Sequence, residues 1–200
     1  MHGCERRSIK NHYSDSLDHS RYGQKPMKTT WIILAGLPAT GKSALARQLV
    51  AQLDRCAVLD KDRIRAALFP GPMTNYTAEQ DGLCMRAMIE AATYMTSQRL
   101  ANYILFDGRT FSRQAHIDQA IAAAEAAGAA WKILHLTCSD KVAEARLKAA
   151  DPNHPAANRD ADLYHRVKAE FEPILRQKLD LDTTEGVDPV LQQALNYICP

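Results

Sequence analysis

Short apolar runs alternate along the chain with longer segments in which apolar side chains recur at every third or fourth position. The short runs predict buried β-strands and the periodic segments predict amphipathic helices, because these spacings match the repeats of the two backbones. The predicted strands cover residues 31–35, 56–59, 103–106, 131–136 and 179–183. The predicted helices cover about 44–53, 64–69, 77–100, 112–127, 140–147, 161–178 and 188–198.

Strands that alternate with helices predict β-α-β units, in which the strands run parallel and helices cover both faces of one sheet. We therefore expect an α/β fold in three layers. Ligands of such sheets collect at the carboxyl ends of the strands. The polar residues that follow each strand are for that reason the candidates for a functional site.

The connection after the first strand carries the most specific motif of the chain. Residues 36–43 read G-x-x-x-x-G-K-S, the pattern of a P-loop, with a predicted strand before it and a predicted helix after it. Its backbone N–H groups are expected to bind phosphate oxygens, with Lys42 on the terminal phosphates and the Ser43 hydroxyl on Mg²⁺. The predicted nucleotide-binding residues are Gly36, Leu37, Pro38, Ala39, Thr40, Gly41, Lys42, Ser43 and Ala44.

Two carboxylates and an arginine follow the second strand, at Asp60, Asp62 and Arg65. A hydroxyl group that attacks a phosphate needs a carboxylate to accept its proton, and Asp62 is the candidate for this base. Arg65, one helical turn further on, is a candidate to bind an anionic or polar group of the acceptor. Asp60 is a candidate for acceptor binding or for holding Mg²⁺ through water. Helix N-capping is the alternative for both aspartates.

The third strand is followed by Asp107, and two arginines, Arg109 and Arg113, come shortly after it. An apolar strand that leads to aspartate, downstream of a P-loop, indicates a carboxylate that orders Mg²⁺. The two arginines are candidates to contact the acceptor or a phosphate. An ordinary surface charge is the alternative for each of them.

A polar, proline-containing segment follows the fourth strand, and we expect residues of about 140–160 to form a helical lid. Lids of small kinases bring arginines onto the phosphoryl group that is transferred. Arg146 and Arg159 are the candidates for this catalytic role. The alternative is a solvated helix face followed by a salt-bridged loop.

The overall composition limits the classes of binding partner and the cellular compartment that we expect. The 200 residues carry a net charge of +2, so charge alone favours neither nucleic acid nor an acidic membrane as a partner. Five widely spaced cysteines without a C-x-x-C pair favour a reducing cytoplasm, and no apolar run reaches the length of a membrane span. Residues 1–26 contain no apolar stretch and are predicted to be a disordered leader before one domain over residues 27–200.

Four segments together resemble the P-loop kinases often labelled AAA-family ATPases, namely residues 36–43, 60–65, 106–112 and 154–159. More broadly, the chain from about residue 27 to its end is similar to zeta toxins, chloramphenicol phosphotransferases, gluconate kinases and the kinase domain of polynucleotide kinases. This resemblance implies five parallel strands in the order 2-3-1-4-5, ATP with Mg²⁺, and phosphoryl transfer to a hydroxyl group.

The resemblance also implies roles for single residues. In polynucleotide kinases an aspartate serves as the base and an arginine three residues later binds the acceptor phosphate, and Asp62 and Arg65 match this spacing. One departure is Ala39, which stands where many relatives carry glycine.

We therefore expect an ATP-dependent kinase that acts on a hydroxyl group of a small molecule. Two other functions remain open at this point. One is a kinase of polynucleotide ends or a toxin-like kinase of a sugar nucleotide, which the near-neutral charge disfavours without excluding nucleic acid. The other is a regulatory P-loop ATPase with a protein partner. No N-K-x-D guanine motif follows the P-loop, so a GTPase is disfavoured.

Overall fold

The computed structural model describes residues 28–149 and 161–199 of the chain. The predicted leader over residues 1–26 lies outside the described residues, and so do Arg159 and the rest of the predicted lid between residues 150 and 160.

Five strands form one parallel sheet in the described part of the chain. They are β1 (Thr30–Ala35), β2 (Cys56–Asp60), β3 (Tyr103–Asp107), β4 (Ala130–Thr137) and β5 (Leu179–Asp182). Their order in the sheet is β2-β3-β1-β4-β5, and every neighbouring pair is parallel. The predicted strand order is therefore confirmed, and each strand lies within one residue of its predicted limits.

Seven α-helices connect or follow the strands within the described ranges. They are α1 (Lys42–Gln52), α2 (Lys61–Leu68), α3 (Ala78–Ser97), α4 (Gln114–Ala126), α5 (Asp140–Lys148), α6 (Ala161–Ala169) and α7 (Asp188–Ile198). None of these helices is long and apolar enough to cross a lipid bilayer.

The two faces of the sheet carry separate hydrophobic clusters. Alternate residues of a strand point to opposite faces, so Trp31 and Ile33 of β1 pack with side chains of α3 and α4. Ile32 and Leu34 pack on the other face with side chains of α1 and α7. These four residues are at most 1% exposed, as expected for a central strand covered on both sides. The arrangement confirms the expected three layers.

One predicted helix is shorter than expected. The helix predicted over residues 161–178 ends at Ala169, and an irregular segment continues from there to β5. Pro173 disfavours helical geometry at Glu172, whose backbone N–H instead donates to the carbonyl of Ser112 over 2.9 Å. The Glu172 carboxylate also accepts a hydrogen bond from the backbone N–H of Gln114, at the start of α4.

The strand register brings the predicted site residues together. Asp60, the last residue of β2, is paired with Asp107, the last residue of β3. β1 runs parallel to β3 on the neighbouring side and leads directly into the P-loop. The carboxyl ends of these three strands therefore form one edge of the sheet, where α1 and α2 begin.

Candidate active site

The P-loop forms a tight turn between β1 and α1. Gly36 has a φ of 140° and Gly41 has a φ of 86°, and both values lie where side chains other than glycine are strained. A Cβ atom on Gly36 would lie 2.3 Å from the carbonyl oxygen of Leu136, and one on Gly41 would lie 3.0 Å from Val187. Ala39 also has a positive φ, 62°, which explains why glycine suits this position.

We expect the substitution Gly36→Ala to lower the free energy of unfolding by about 3–5 kcal/mol, because it combines backbone strain with a steric conflict against backbone. Gly128→Ala is the matched control. Gly128 also has a positive φ, 74°, but a Cβ atom there would have no neighbour within 4 Å, so we expect a loss of only about 1 kcal/mol. Urea unfolding measures both values, and equal losses would contradict the close packing of the P-loop on β4.

The N-terminus of α1 has the features of a phosphate-binding site. Gly41 precedes the helix and provides no side chain to cap it, and the first turn contains no acidic residue. The first N–H groups of the helix are therefore left for a ligand, and the helix dipole favours an anion there. Lys42 is 9% exposed, and its ammonium group donates to the carbonyls of Gly36 and Leu37 over 2.8 and 2.7 Å.

The loop after β5 contacts the other side of the P-loop. The hydroxyl of Thr183 donates to the carbonyl of Thr40 over 2.9 Å. Arg146 of α5 donates to the carbonyl of Thr183 over 2.6 Å and to the carbonyl of Ala39 over 3.3 Å. Arg146 therefore lies beside the P-loop, and its catalytic role stays a prediction.

Asp107 fits the predicted role of a metal ligand. The residue is 2% exposed, and its Oδ1 atom is buried without a hydrogen-bond partner among the residues that the structure describes. A buried carboxylate oxygen without a partner is costly unless a ligand binds it. Asp107 shares a cavity with Ser43, so the two oxygen ligands predicted for Mg²⁺ open into the same space.

Asp60 caps a helix, as the alternative for this residue describes, and its role in acceptor or metal binding stays a prediction. Its Oδ1 atom accepts hydrogen bonds from the backbone N–H groups of Asp62 and Arg63, over 2.9 and 3.3 Å, so Asp60 caps α2. Because β2 leads into α2 without a loop, the last strand residue is also the capping residue. Its Oδ2 atom lies 3.6 Å from Nε of Arg63, and Asp60 does not line the cavity.

Asp62 lines the cavity. Arg65, one helical turn further along α2, forms an ion pair with Asp62. The guanidinium of Arg65 lies 3.3 Å from Oδ1 of Asp62 and also donates to Asp81 of α3. The Arg65 side chain is only 4% exposed, and Lys61 pairs with the same Asp81 over 3.1 Å. Sequence reasoning missed Asp81 and Lys61, since their contact depends on how α2 packs against α3.

The two arginines after β3 have different positions. Arg109 lines the cavity. Arg113 does not, because it pairs with Glu170 over 2.7 Å and with Glu172 over 3.2 Å in the segment after α6. Arg113 therefore lies outside the cavity, as the surface-charge alternative describes, and its acceptor-binding role stays a prediction.

His116 is a cavity residue that the sequence did not identify. It lines the cavity from the first turn of α4. Its Nδ1 atom is buried without a hydrogen-bond partner in the described ranges. Burial and the nearby cation Arg109 lower the pKa of His116 to about 4, so its imidazole is neutral at pH 7.

One cavity of about 480 Å³ connects these groups. It extends from the P-loop past Asp107 to Asp62 and the ion-paired residues of α2 and α3. Apolar side chains of α5 and α6, among them Leu147 and Leu163, also line it. The arrangement places a phosphate-binding loop, a carboxylate for a metal and a carboxylate for a proton around one space.

Comparison with known proteins identifies both family and fold. A sequence model of the AAA domain family matches residues 32–174. No curated protein sequence matches significantly. A suggested kinase from Chloroflexus aurantiacus is 21% identical, with a TM-score of 0.66 over 86% of this chain and 99% of its own.

Two further solved structures were captured with nucleotide analogues. The APS kinase CysC of Mycobacterium tuberculosis, in complex with AMPPNP and APS, is 17% identical, with a TM-score of 0.63 over 86% of this chain and 99% of its own. Kti12 of Chaetomium thermophilum, in complex with ADP-AlF3, is 16% identical, with a TM-score of 0.59 over 85% of this chain and 100% of its own.

These likenesses show the P-loop kinase fold, which agrees with the strand order of the sheet. The family match covers well over half of the chain and includes the P-loop, Asp62 and Asp107. The chain therefore belongs to the AAA domain family and has the fold of a P-loop kinase.

Proposed function

We propose that this protein transfers the γ-phosphoryl group of ATP to a hydroxyl group of a small molecule. The observation that carries the proposal is the shared cavity of about 480 Å³, which both the P-loop and Asp62 line. A protein that only hydrolyses ATP needs no second polar compartment beyond the phosphate site. Here that compartment contains Asp62, Arg65 and Asp81 from two packed helices.

The residues of the P-loop suit the donor. The N–H groups at the start of α1 and the ammonium of Lys42 would bind the phosphates, and Ser43 and Asp107 would hold Mg²⁺. Bound Mg²⁺ supplies charge neutralisation and orients the phosphates. The M. tuberculosis APS kinase with AMPPNP and Kti12 with ADP-AlF3 support an adenine nucleotide.

Asp62 suits the role of general base. The acceptor oxygen forms a bond to the γ-phosphorus, its proton passes to the Asp62 carboxylate, and the bond from the γ-phosphorus to the bridging oxygen of ADP breaks. Arg65 orients the carboxylate through its ion pair with Asp62. Arg146 beside the P-loop, and Arg159 outside the described residues, are the cations proposed to stabilise the transferring group.

We expect Asp107→Asn to raise the Mg²⁺ concentration for half-maximal ATP consumption by about 10- to 100-fold, because a neutral amide binds a hard cation less well. Asp118→Asn is the control, since that exposed carboxylate pairs with Arg176 outside the cavity. An unchanged Mg²⁺ dependence in the Asp107 variant would remove the residue from the metal site.

The proposed activity is tested by measuring ADP formation with a panel of sugars, nucleosides, aminoglycosides and sugar nucleotides, with products identified by mass spectrometry. We expect one chemical class to accelerate ADP formation and to appear as a phosphorylated product. If no hydroxyl compound changes ADP formation while a protein partner does, the regulatory ATPase replaces the kinase.

A further inference from the structure

The acceptor end of the cavity contains one cation more than its carboxylates can pair. Lys61 and Arg65 are bound to Asp81, and Arg65 is also bound to Asp62. Arg109 has neither a hydrogen-bond partner nor an ion-pair partner among the described residues, although it lines the cavity. Around the whole cavity, the charged lining residues of the described ranges are six cations and three aspartates.

Burial and neighbouring cations together lower the pKa values of three groups at this end of the cavity. Burial, followed by the charge of Arg65, lowers the pKa of Arg109 to about 10. The pKa of Lys61 is lowered to about 8, chiefly by burial and further by Arg65 and Arg109. The pKa of His116 is lowered to about 4 by burial and then by Arg109. Burial disfavours the charged form of each group, and the neighbouring cations add to that effect, whereas Asp62 opposes it at Lys61. Arg109, unpaired among the described residues, is the group that favours an anion here.

His116 adds a directional group beside this charge. Its imidazole is neutral at pH 7, and its buried Nδ1 atom has no partner in the described part of the chain. A buried polar atom without a partner is costly, whereas a bound anion could accept a hydrogen bond from it. An anion beside the ring would also raise the pKa of His116, since opposite charge stabilises the protonated form.

We propose that Arg109 and His116 form a subsite for an anionic group, a phosphate or a carboxylate, carried by the small-molecule acceptor whose hydroxyl is phosphorylated. This inference rests on the proposed kinase function and specifies its substrate class. It also differs from the role expected for Arg65, which is 4% exposed and already bound to two carboxylates. Arg65 positions Asp62, and Arg109 binds the acceptor anion.

The subsite is tested first without any acceptor, with inorganic sulfate as the probe. The P-loop is saturated with Mg²⁺ and AMPPNP, and the NMR signals of His116 are followed during a sulfate titration. We expect saturable shifts and a rise of the His116 pKa from about 4 in the wild type. Arg109→Gln abolishes both effects. Arg176→Gln, the matched control whose arginine pairs with Asp118 outside the cavity, behaves as the wild type. No His116 response in the wild type, or an equal response in Arg109→Gln, overturns the proposal.

The second test compares acceptors in matched pairs, such as ribose with ribose 5-phosphate and glucose with gluconate. We expect kcat/KM to be about 10- to 100-fold higher for the anionic member, as suits charge-assisted hydrogen bonds. Arg109→Gln removes this preference, whereas Arg176→Gln, whose arginine pairs with Asp118 outside the cavity, keeps it. Equal use of neutral and anionic members overturns the subsite while the kinase stands. A His116 response to sulfate without transfer to any acceptor supports the subsite and removes the kinase.

Discussion

Asp62→Asn lowers phosphoryl transfer by about 10²- to 10⁴-fold and leaves ATP binding intact, as expected for the loss of a general base. The asparagine side chain retains an oxygen that can accept the hydrogen bond from Arg65, so the local fold is preserved. The amide cannot take the proton of the attacking hydroxyl at neutral pH. The transfer rate at saturating ATP and the dissociation constant of AMPPNP are the two measurements.

Asp60→Asn is the matched control, two residues away on the same helix start. Asparagine caps helices about as well as aspartate does, and Asp60 lies outside the cavity. We expect transfer within a few-fold of the wild type and little change in stability. Equal transfer by the wild type and Asp62→Asn, or a loss of transfer in the Asp60 variant alone, would assign the base to another residue.

Lys42→Met is expected to lower phosphoryl transfer by about 10²- to 10³-fold and to weaken nucleotide binding. The ammonium of Lys42 lies inside the P-loop and is the cation best placed for the terminal phosphates. Thermal unfolding must be measured beside activity, because the substitution also removes two hydrogen bonds to loop carbonyls.

Lys132→Met provides the comparison for this effect. The Lys132 ammonium lies 4.5 Å from the centre of the Tyr197 ring and does not line the cavity. We expect its transfer rate and its nucleotide affinity to equal those of the wild type. A Lys42 variant that keeps wild-type affinity and rate would mean that the nucleotide does not bind in the P-loop.

Local motifs made much of the fold and the donor side of the site predictable. The P-loop is defined by eight consecutive residues between a strand and a helix, so Lys42 and Ser43 could be identified directly. Asp107 was identifiable because it is the last residue of an apolar strand that follows the P-loop in the sequence. Strand limits were accurate chiefly because three of the five strands, β1 to β3, are short apolar runs with clear polar boundaries.

The contacts among residues of the acceptor side could not be predicted from the sequence, because they depend on tertiary packing. Asp81 reaches Lys61 and Arg65 only because α3 packs on α2. Arg109 and Arg113 follow the same strand, but the chain turns at the buried Phe111, which has a φ of 50°. That turn lies between the two arginines, one of which faces the cavity while the other binds Glu170 and Glu172.

The fate of the γ-phosphoryl group distinguishes transfer to a hydroxyl group from hydrolysis of ATP. With γ-labelled ATP, Mg²⁺ and candidate acceptors, the label is divided between free phosphate and organic products, with water alone as the reference. If the protein is a kinase with Asp62 as its base, the label enters one hydroxyl compound and Asp62→Asn prevents this transfer. Label released only as free phosphate, at a rate that no acceptor changes, would contradict phosphoryl transfer to a hydroxyl.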